Sequence, residues 1–376
     1  MTTMNPTPTD FYPGSGPHNR HQGPVPEQLR QQYHRELTDS IYFALLQAAA
    51  KGWTPDDLRH LLTSQVDHLL FLVTHRVCGG ERTEGGVDVA EPTRAAWQRQ
   101  CHPVEEVALS TAALENIRDR LRGLRPLHDA VLLTDTHAVE EQDRAFAALS
   151  PEQRKAHHRI TALLKKAEAT NFEGEADVLV AKAQQLRQRY RIESLLFARD
   201  SLAGAAGPEL VAHRVYLHSP WVRHQFSLLS GVAQTNSCAT MLLTRDGIST
   251  VVGQSDDVRH VADLFASLNR QRDHFMRTSP GAHEAASRGE TSAYRRSFMV
   301  AYTAHITVLL ADATRHASAG NPGHRETLPV LAARGHRAQQ TLAGLFPRSR
   351  SITFTSRHPG GHRDGVSAAR QTRLDD

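Results

Sequence analysis

Apolar residues recur along this chain first at helical and then at strand spacing, and the change falls near residue 200. From Glu27 onward, Leu37, Ile41, Ala44, Leu45 and Ala48 share one helical face, which predicts a helix ending at Gly52. Thr54-Pro55-Asp56-Asp57 supplies an N-cap, a proline at the first helical position and two first-turn acids. The helix that follows carries Leu58, Leu61, Leu62, Val66, Leu69, Leu70 and Val73. Gly79 to Val89 reads as an exposed loop. Helical patterns resume at Ala95 to Trp97, at Val104 to Leu121 behind Pro103, and at Ala138 to Leu149.

Ser150-Pro151-Glu152 then opens the most strongly patterned stretch. Ile160, Leu163, Leu164 and Ala167 form one amphipathic stripe. After the break Thr170-Asn171-Phe172-Glu173-Gly174, a second runs through Ala176, Leu179, Val180, Ala183, Leu186 and Tyr190. Together they predict a helical hairpin.

Beyond the small-residue linker Ser201 to Pro208 the period becomes two. Val211, His213, Val215 and Leu217 fall on one side of a strand, and Ala212, Arg214, Tyr216 and His218 on the other. A helix follows Ser219-Pro220-Trp221. Two more strands, Cys238 to Thr244 and Ile248 to Val252, flank Arg245-Asp246-Gly247, where Asp-Gly suits the positive φ of a tight turn. Ser255 caps a long helix, and Tyr294 to Ala317 forms another.

The expected fold is α+β and mostly helical: an all-α N-terminal region with a hairpin, then a small strand-helix-strand-strand-helix domain. The expected divisions are a disordered arm (1–26), a helical domain (27–150), the hairpin (151–200), a linker (201–208), the α+β domain (209–317) and a basic, partly disordered tail (318–376). A short final helix is expected near Asp364 to Arg373.

Composition trims the functional classes. At 376 residues, two or three domains are expected. The net charge of +4 implies no strong overall field, although only five of the 44 basic residues are lysines. Arginine suits bidentate phosphate contacts, but a GC-rich coding sequence produces the same bias. Three widely spaced cysteines without CxxC spacing fit a reducing cytoplasm. The first residues lack the basic and apolar regions of a signal peptide. The longest uncharged run, Ser297 to Ala311, has fifteen residues and three polar interruptions. That is short of the roughly 20 apolar residues a membrane span needs, so no membrane partner is expected.

Enzyme signatures are absent: no GxxxxGK[ST] loop, no GxGxxG after a strand, no HExxH and no GxSxG. Whether the protein is an enzyme therefore stays open in the sequence, with no catalytic residue to name. One helix face does present Asp256, His260 and Asp263 at i, i+4 and i+7, a donor set a metal accepts, with His274 or His305 as a fourth ligand. First-turn acids are also ordinary dipole complements. His157 and His158, being adjacent, cannot serve one ligand. One is expected to pack and the other to face solvent.

Basic residues beside aromatics suit phosphate contact with base stacking. Lys165 and Lys166 on the first hairpin helix, Arg187, Arg189 and Arg191 around Tyr190 on the second, and Arg270 and Arg272 near Phe275 are the nucleic-acid-binding candidates. The hairpin is only modestly basic, with ten basic and seven acidic residues over 151–200. A nucleic-acid-associated or regulatory role without catalysis is the leading expectation. A metal-dependent enzyme and a protein-binding scaffold are the alternatives, and no other cofactor is implied.

The hairpin's T-N-F-x-x-E-A junction, here Thr170, Asn171, Phe172, Glu175 and Ala176, resembles that of a bacterial and phage family called domain of unknown function 2786. Val251 to Gln271 resembles its strand-to-helix passage. Arg295-Arg296-Ser297-Phe298 resembles its arginine–phenylalanine helix, although Ala301-Tyr302 stands where Gly-Phe is more usual. Gly361-His362-Arg363-Asp364-Gly365 resembles a terminal motif of some members, and Lys51 to Leu58 resembles actinobacterial ones. The resemblance implies an architecture and carries no activity.

Overall fold

The computed structural model describes residues 26–62, 66–79, 88–133, 151–201, 210–319, 324–350, 362 and 364. The N-terminal arm, most of the loop at 79–89, the helix expected at 138–149, most of the linker and nearly all of the final helix lie outside these residues.

Among the described residues, five α-helices build the N-terminal lobe: α1 (Glu27–Ala50), α2 (Pro55–Leu62), α3 (Asp67–Cys78), α4 (Glu91–Gln100) and α5 (Thr111–Arg122). Gly52 ends the α1 turn at φ +86°, where a Cβ would stand 2.5 Å from the Ala130 Cβ. Only glycine fits there. Thr54 and Asp57 form a reciprocal cap: Thr54 N–H donates to Asp57 Oδ2 at 2.7 Å, and Asp57 N–H donates to Thr54 Oγ1 at 3.4 Å. Trp53 and Trp97 fill the lobe's centre, each buried and each donating its indole N–H to a backbone carbonyl.

Two expectations are corrected in this lobe. The single helix expected beyond Pro55 is two, with α3 opening at the first-turn acid Asp67, which accepts from Arg59 Nε at 2.6 Å. The helix expected from Val104 begins only at Thr111, because Ser110 caps it by accepting from Ala113 N–H. Val104 and Val107 are exposed, so no buried face supports a helix there.

The hairpin is α6 (Pro151–Ala169) and α7 (Glu173–Ser201). Beyond it come β1 (Val211–Tyr216), α8 (Val222–Thr235), β2 (Ala239–Leu243), β3 (Ile248–Gly253), α9 (Ser255–Thr278), α10 (Pro280–Ser287), α11 (Thr291–Ala319) and α12 (His324–Leu345). The strands make one antiparallel sheet in the order β1-β3-β2. Gly247 turns β2 into β3 at φ +68°, as the Asp-Gly pair predicts. Gln254, not Ser255, precedes the first turn of α9, a one-residue shift.

The sheet explains the rest of the packing. Val211, Val215, Leu242 and Val251 face the layer of α6 to α11, where α11 packs on α7 and α8. α11 is buried on several sides, since Tyr294, Phe298, Met299, Tyr302, Ile306 and Leu310 are spread around it rather than confined to one stripe. The hairpin is therefore part of the same core as the α+β region. The opposite face is divided. Tyr216, Leu243 and Ile248 meet the N-terminal lobe, while Ala212, Ala239 and Val252 meet Ala338 and Leu342 of α12. The region expected to be a basic tail thus contributes a helix that covers the sheet. Among the described residues, no helix is long and apolar enough to cross a membrane.

Candidate functional site

Between the two halves of that divided sheet face lies a buried ion cluster. Arg214 and Thr250 are paired across β1 and β3, and both point to Asp129. Arg214 donates from Nη2 to Asp129 Oδ1 at 2.8 Å and from Nε to Oδ2 at 3.1 Å; Thr250 Oγ1 donates to Oδ2 at 2.7 Å. Arg214 Nη1 donates to Gly52 O at 2.9 Å and also to Asp57 Oδ2, whose other oxygen accepts from Tyr216. Two carboxylates around one guanidinium hold the Arg214 pKa above its ordinary value despite burial, and Arg214 holds that of Asp129 down despite its own burial. This cluster joins the N-terminal lobe to the sheet.

The second cluster centres on Asp257, in the first turn of α9. Along α7 the buried face runs from Ala176, Val180 and Ala183 into Gln184, Arg187, Gln188 and Arg191, at one helical period throughout. Gln184 and Gln188 both donate to Asn236 Oδ1, at 3.2 and 3.0 Å. Arg187 Nη2 lies 3.1 Å from Asp257 Oδ1, Arg191 Nη2 2.9 Å from Oδ2, and Arg334 Nη1 of α12 3.9 Å from Oδ2. Nε of Arg187 and Nε of Arg191 are buried without a hydrogen-bond partner. Burial first, and the neighbouring arginines with it, lower the pKa values of Arg191 and Arg334 in spite of Asp257. His260 sits beside them, buried, its Nε2 3.2 Å from Gln184 Oε1. Burial and then Arg187 and Arg191 hold it well below the usual histidine range.

This geometry relocates the sequence candidates. Arg187 and Arg191 turn inward, because they continue the buried stripe of α7. Arg272 is also buried, paired with Asp273 at 2.8 Å. Arg270 is exposed but held by Glu168 through two hydrogen bonds of 2.7 and 2.9 Å. Arg189, Lys165 and Lys166 are exposed, with Lys166 3.2 Å from Glu175. Asp256, His260 and Asp263 do not converge: His260 is in the core, while both aspartates face solvent. Among the described residues, no group of three His, Cys, Asp or Glu is placed to hold a metal. His157 and His158 are both exposed, not one of each.

His213 and His218, which alternation sends to opposite faces, line one cleft, because the strand ends at Tyr216. That cleft, of about 520 Å³, separates α4 from β1 and α9, with Asp263 and Arg270 also in its lining.

The outer face of α6 was not singled out by motif. Lys155, His158, Arg159, Lys165 and Lys166 are all exposed along it, and residues 155–166 contain no acid. At the hairpin tip Phe172 is 75% exposed. Charge periodicity opposite the apolar stripe was the available signal. Asp257 and Arg334 were missed for other reasons: one reads as an ordinary first-turn acid, the other lay in the supposed tail.

No curated protein and no solved structure matches the chain. Residues 155–194, the basic face, the hairpin tip and the arginine-bearing stripe together, match the family model described as "Protein of unknown function (DUF2786)".

Proposed function

We propose that this protein binds nucleic acid through the outer face of α6 and the tip of the hairpin, without catalysing a reaction on it. The observation that carries the reading is the acid-free run of exposed cations from Lys155 to Lys166, ending near an exposed phenylalanine. Eleven residue steps of helix extend roughly 16 Å, long enough to follow a phosphate backbone. Lys165 and Lys166 also complement the C-terminal end of the α6 dipole. Lys155 and Arg159 lie in its first half, where that explanation does not reach. Phe172 offers a stacking face for a single-stranded base. A cytoplasmic location belongs to the same reading, favoured by cysteines that are all free.

The test is fluorescence anisotropy with single- and double-stranded oligonucleotides over a salt series. Lys155→Glu, Arg159→Glu, Lys165→Glu and Lys166→Glu together are expected to abolish binding while leaving the melting temperature near wild type. For single strands, four phosphate contacts correspond to a slope of log K on log salt of about −3. Phe172→Ala is expected to cost about 1–3 kcal/mol on single strands and little on duplex. Wild-type protein with no salt-dependent affinity for either form sinks the proposal.

A further inference from the structure

The arginine cluster on Asp257 is out of balance with its surroundings, in both charge and hydrogen bonding. Three guanidinium groups carry roughly 15 N–H donors, and a single carboxylate accepts at roughly four sites. Two hydrogen bonds from Arg187 and Arg191 reach Asp257, and Arg334 stands beyond hydrogen-bond distance at 3.9 Å. The Nε groups of Arg187 and of the 95%-buried Arg191 are orphaned. His260 cannot compensate, since it carries no negative charge in either protonation state. Asp256, the neighbouring acid, faces solvent, lies 3.8 Å from Arg259 and acts on Arg334 from the exposed side, leaving Arg187 and Arg191 with Asp257. Buried cations without matching acceptors are costly, so a cluster of this kind favours an added anion.

Access and direction agree with that. The side chains of Arg187 and Arg334 keep 18% and 19% of their surface, so the cluster has an open side. It stands at the first turn of α9, a 24-residue helix whose dipole adds positive potential there.

We infer that Arg187, Arg191 and Arg334 form a binding site for a phosphate-class oxyanion, with Asp257 holding the guanidinium groups in position. The planar fork of arginine matches the oxygen spacing of phosphate. The site draws on α7, α9 and α12, so an anion bound there ties the hairpin to the C-terminal helix. It stands independently of the α6 reading, because Arg187, Arg191, Asp257 and Arg334 belong to α7, α9 and α12 and none of them lies on α6.

The experiment uses the full chain and inorganic phosphate as the probe, by isothermal titration calorimetry and thermal melting at constant ionic strength against chloride. Saturable binding at one site is expected, with a melting temperature that rises with phosphate. Arg334→Gln is expected to weaken binding about tenfold or more while barely changing the melting temperature in chloride, since it breaks no hydrogen bond to Asp257. Arg187→Gln is the second variant, chosen because its side chain is less buried than that of Arg191.

Two sources of the phosphate group separate in a competition arm with a single-stranded oligonucleotide. If the group belongs to a nucleic-acid backbone, phosphate displaces the oligonucleotide and Arg334→Gln weakens both. If it is a free phosphate compound, Arg334→Gln weakens phosphate alone. Absence of saturable binding in the wild-type protein, or binding that both variants leave unchanged, overturns the inference.

Discussion

Arg214 and Asp257 each anchor a buried ion cluster, with inverted stoichiometry. Around Arg214, two carboxylates and a backbone carbonyl accept from the guanidinium, Thr250 supports Asp129 from behind, and the charged side chains are at most 3% exposed. Around Asp257, three arginines share one carboxylate, two remain partly open, and donors are left over. The same chemistry therefore serves differently in the two places. Where acceptors match donors, a buried ion pair is a joint between lobes. Where donors exceed acceptors, the surplus is available to a ligand.

The comparison breaks most forcefully at Asp129. Asp129→Ala leaves Arg214 short of one partner and Thr250 without an acceptor, and is expected to cost about 3–5 kcal/mol in urea unfolding. Asp257→Ala is expected to cost less, about 1–3 kcal/mol, because Arg187 and Arg334 reach water when released. Phosphate should restore part of that loss and none of the loss at Asp129. Equal costs at the two positions, with no phosphate effect, would erase the distinction between joint and site.

The smallest effect concerns Glu173, at the start of α7. Ser279 Oγ donates to its Oε1 at 3.3 Å, Asp364 accepts from Gly281 N–H and Tyr294 Oη nearby, and His305 Nε2 lies 2.8 Å from Asp177. Burial first, then Asp177 and Asp364, raise the Glu173 pKa from 4.5 to about 7. A carboxyl whose folded pKa is raised contributes stability at low pH, and that contribution fades as pH climbs from about 4.5 to about 7. After allowance for solvent screening the change is about 1 kcal/mol or less. Melting temperatures across that window should fall in wild type and stay flatter in Glu173→Gln.

Much of the fold was legible because it depends on local period. The hairpin, the three strands and the Asp-Gly turn all lie within a residue or two of where alternation and breaks put them. Helix ends were less legible where two signals competed, as at Ser110, whose cap overrode an apolar pattern with nothing to pack against. The candidate site was legible only in part. Arg187 and Arg191 fall on the stripe of Ala176, Val180 and Ala183, so the period alone marks them as inward. The assumption that arginine faces water concealed it. Arg334 had no such signal, because its role depends on α12 reaching back to α9 across 77 residues of chain.

The sequence by itself determined the mostly helical α+β architecture, the hairpin and the basic outer face of α6, because each follows from side-chain spacing along one element. Only the tertiary structure decided which charges are neighbours. Asp57, Asp129 and Arg214, or Arg187, Asp257 and Arg334, come from separate segments, and burial gives their pairing its strength. Coulomb energy depends on distance and on the exclusion of water, and neither quantity is written in the order of residues.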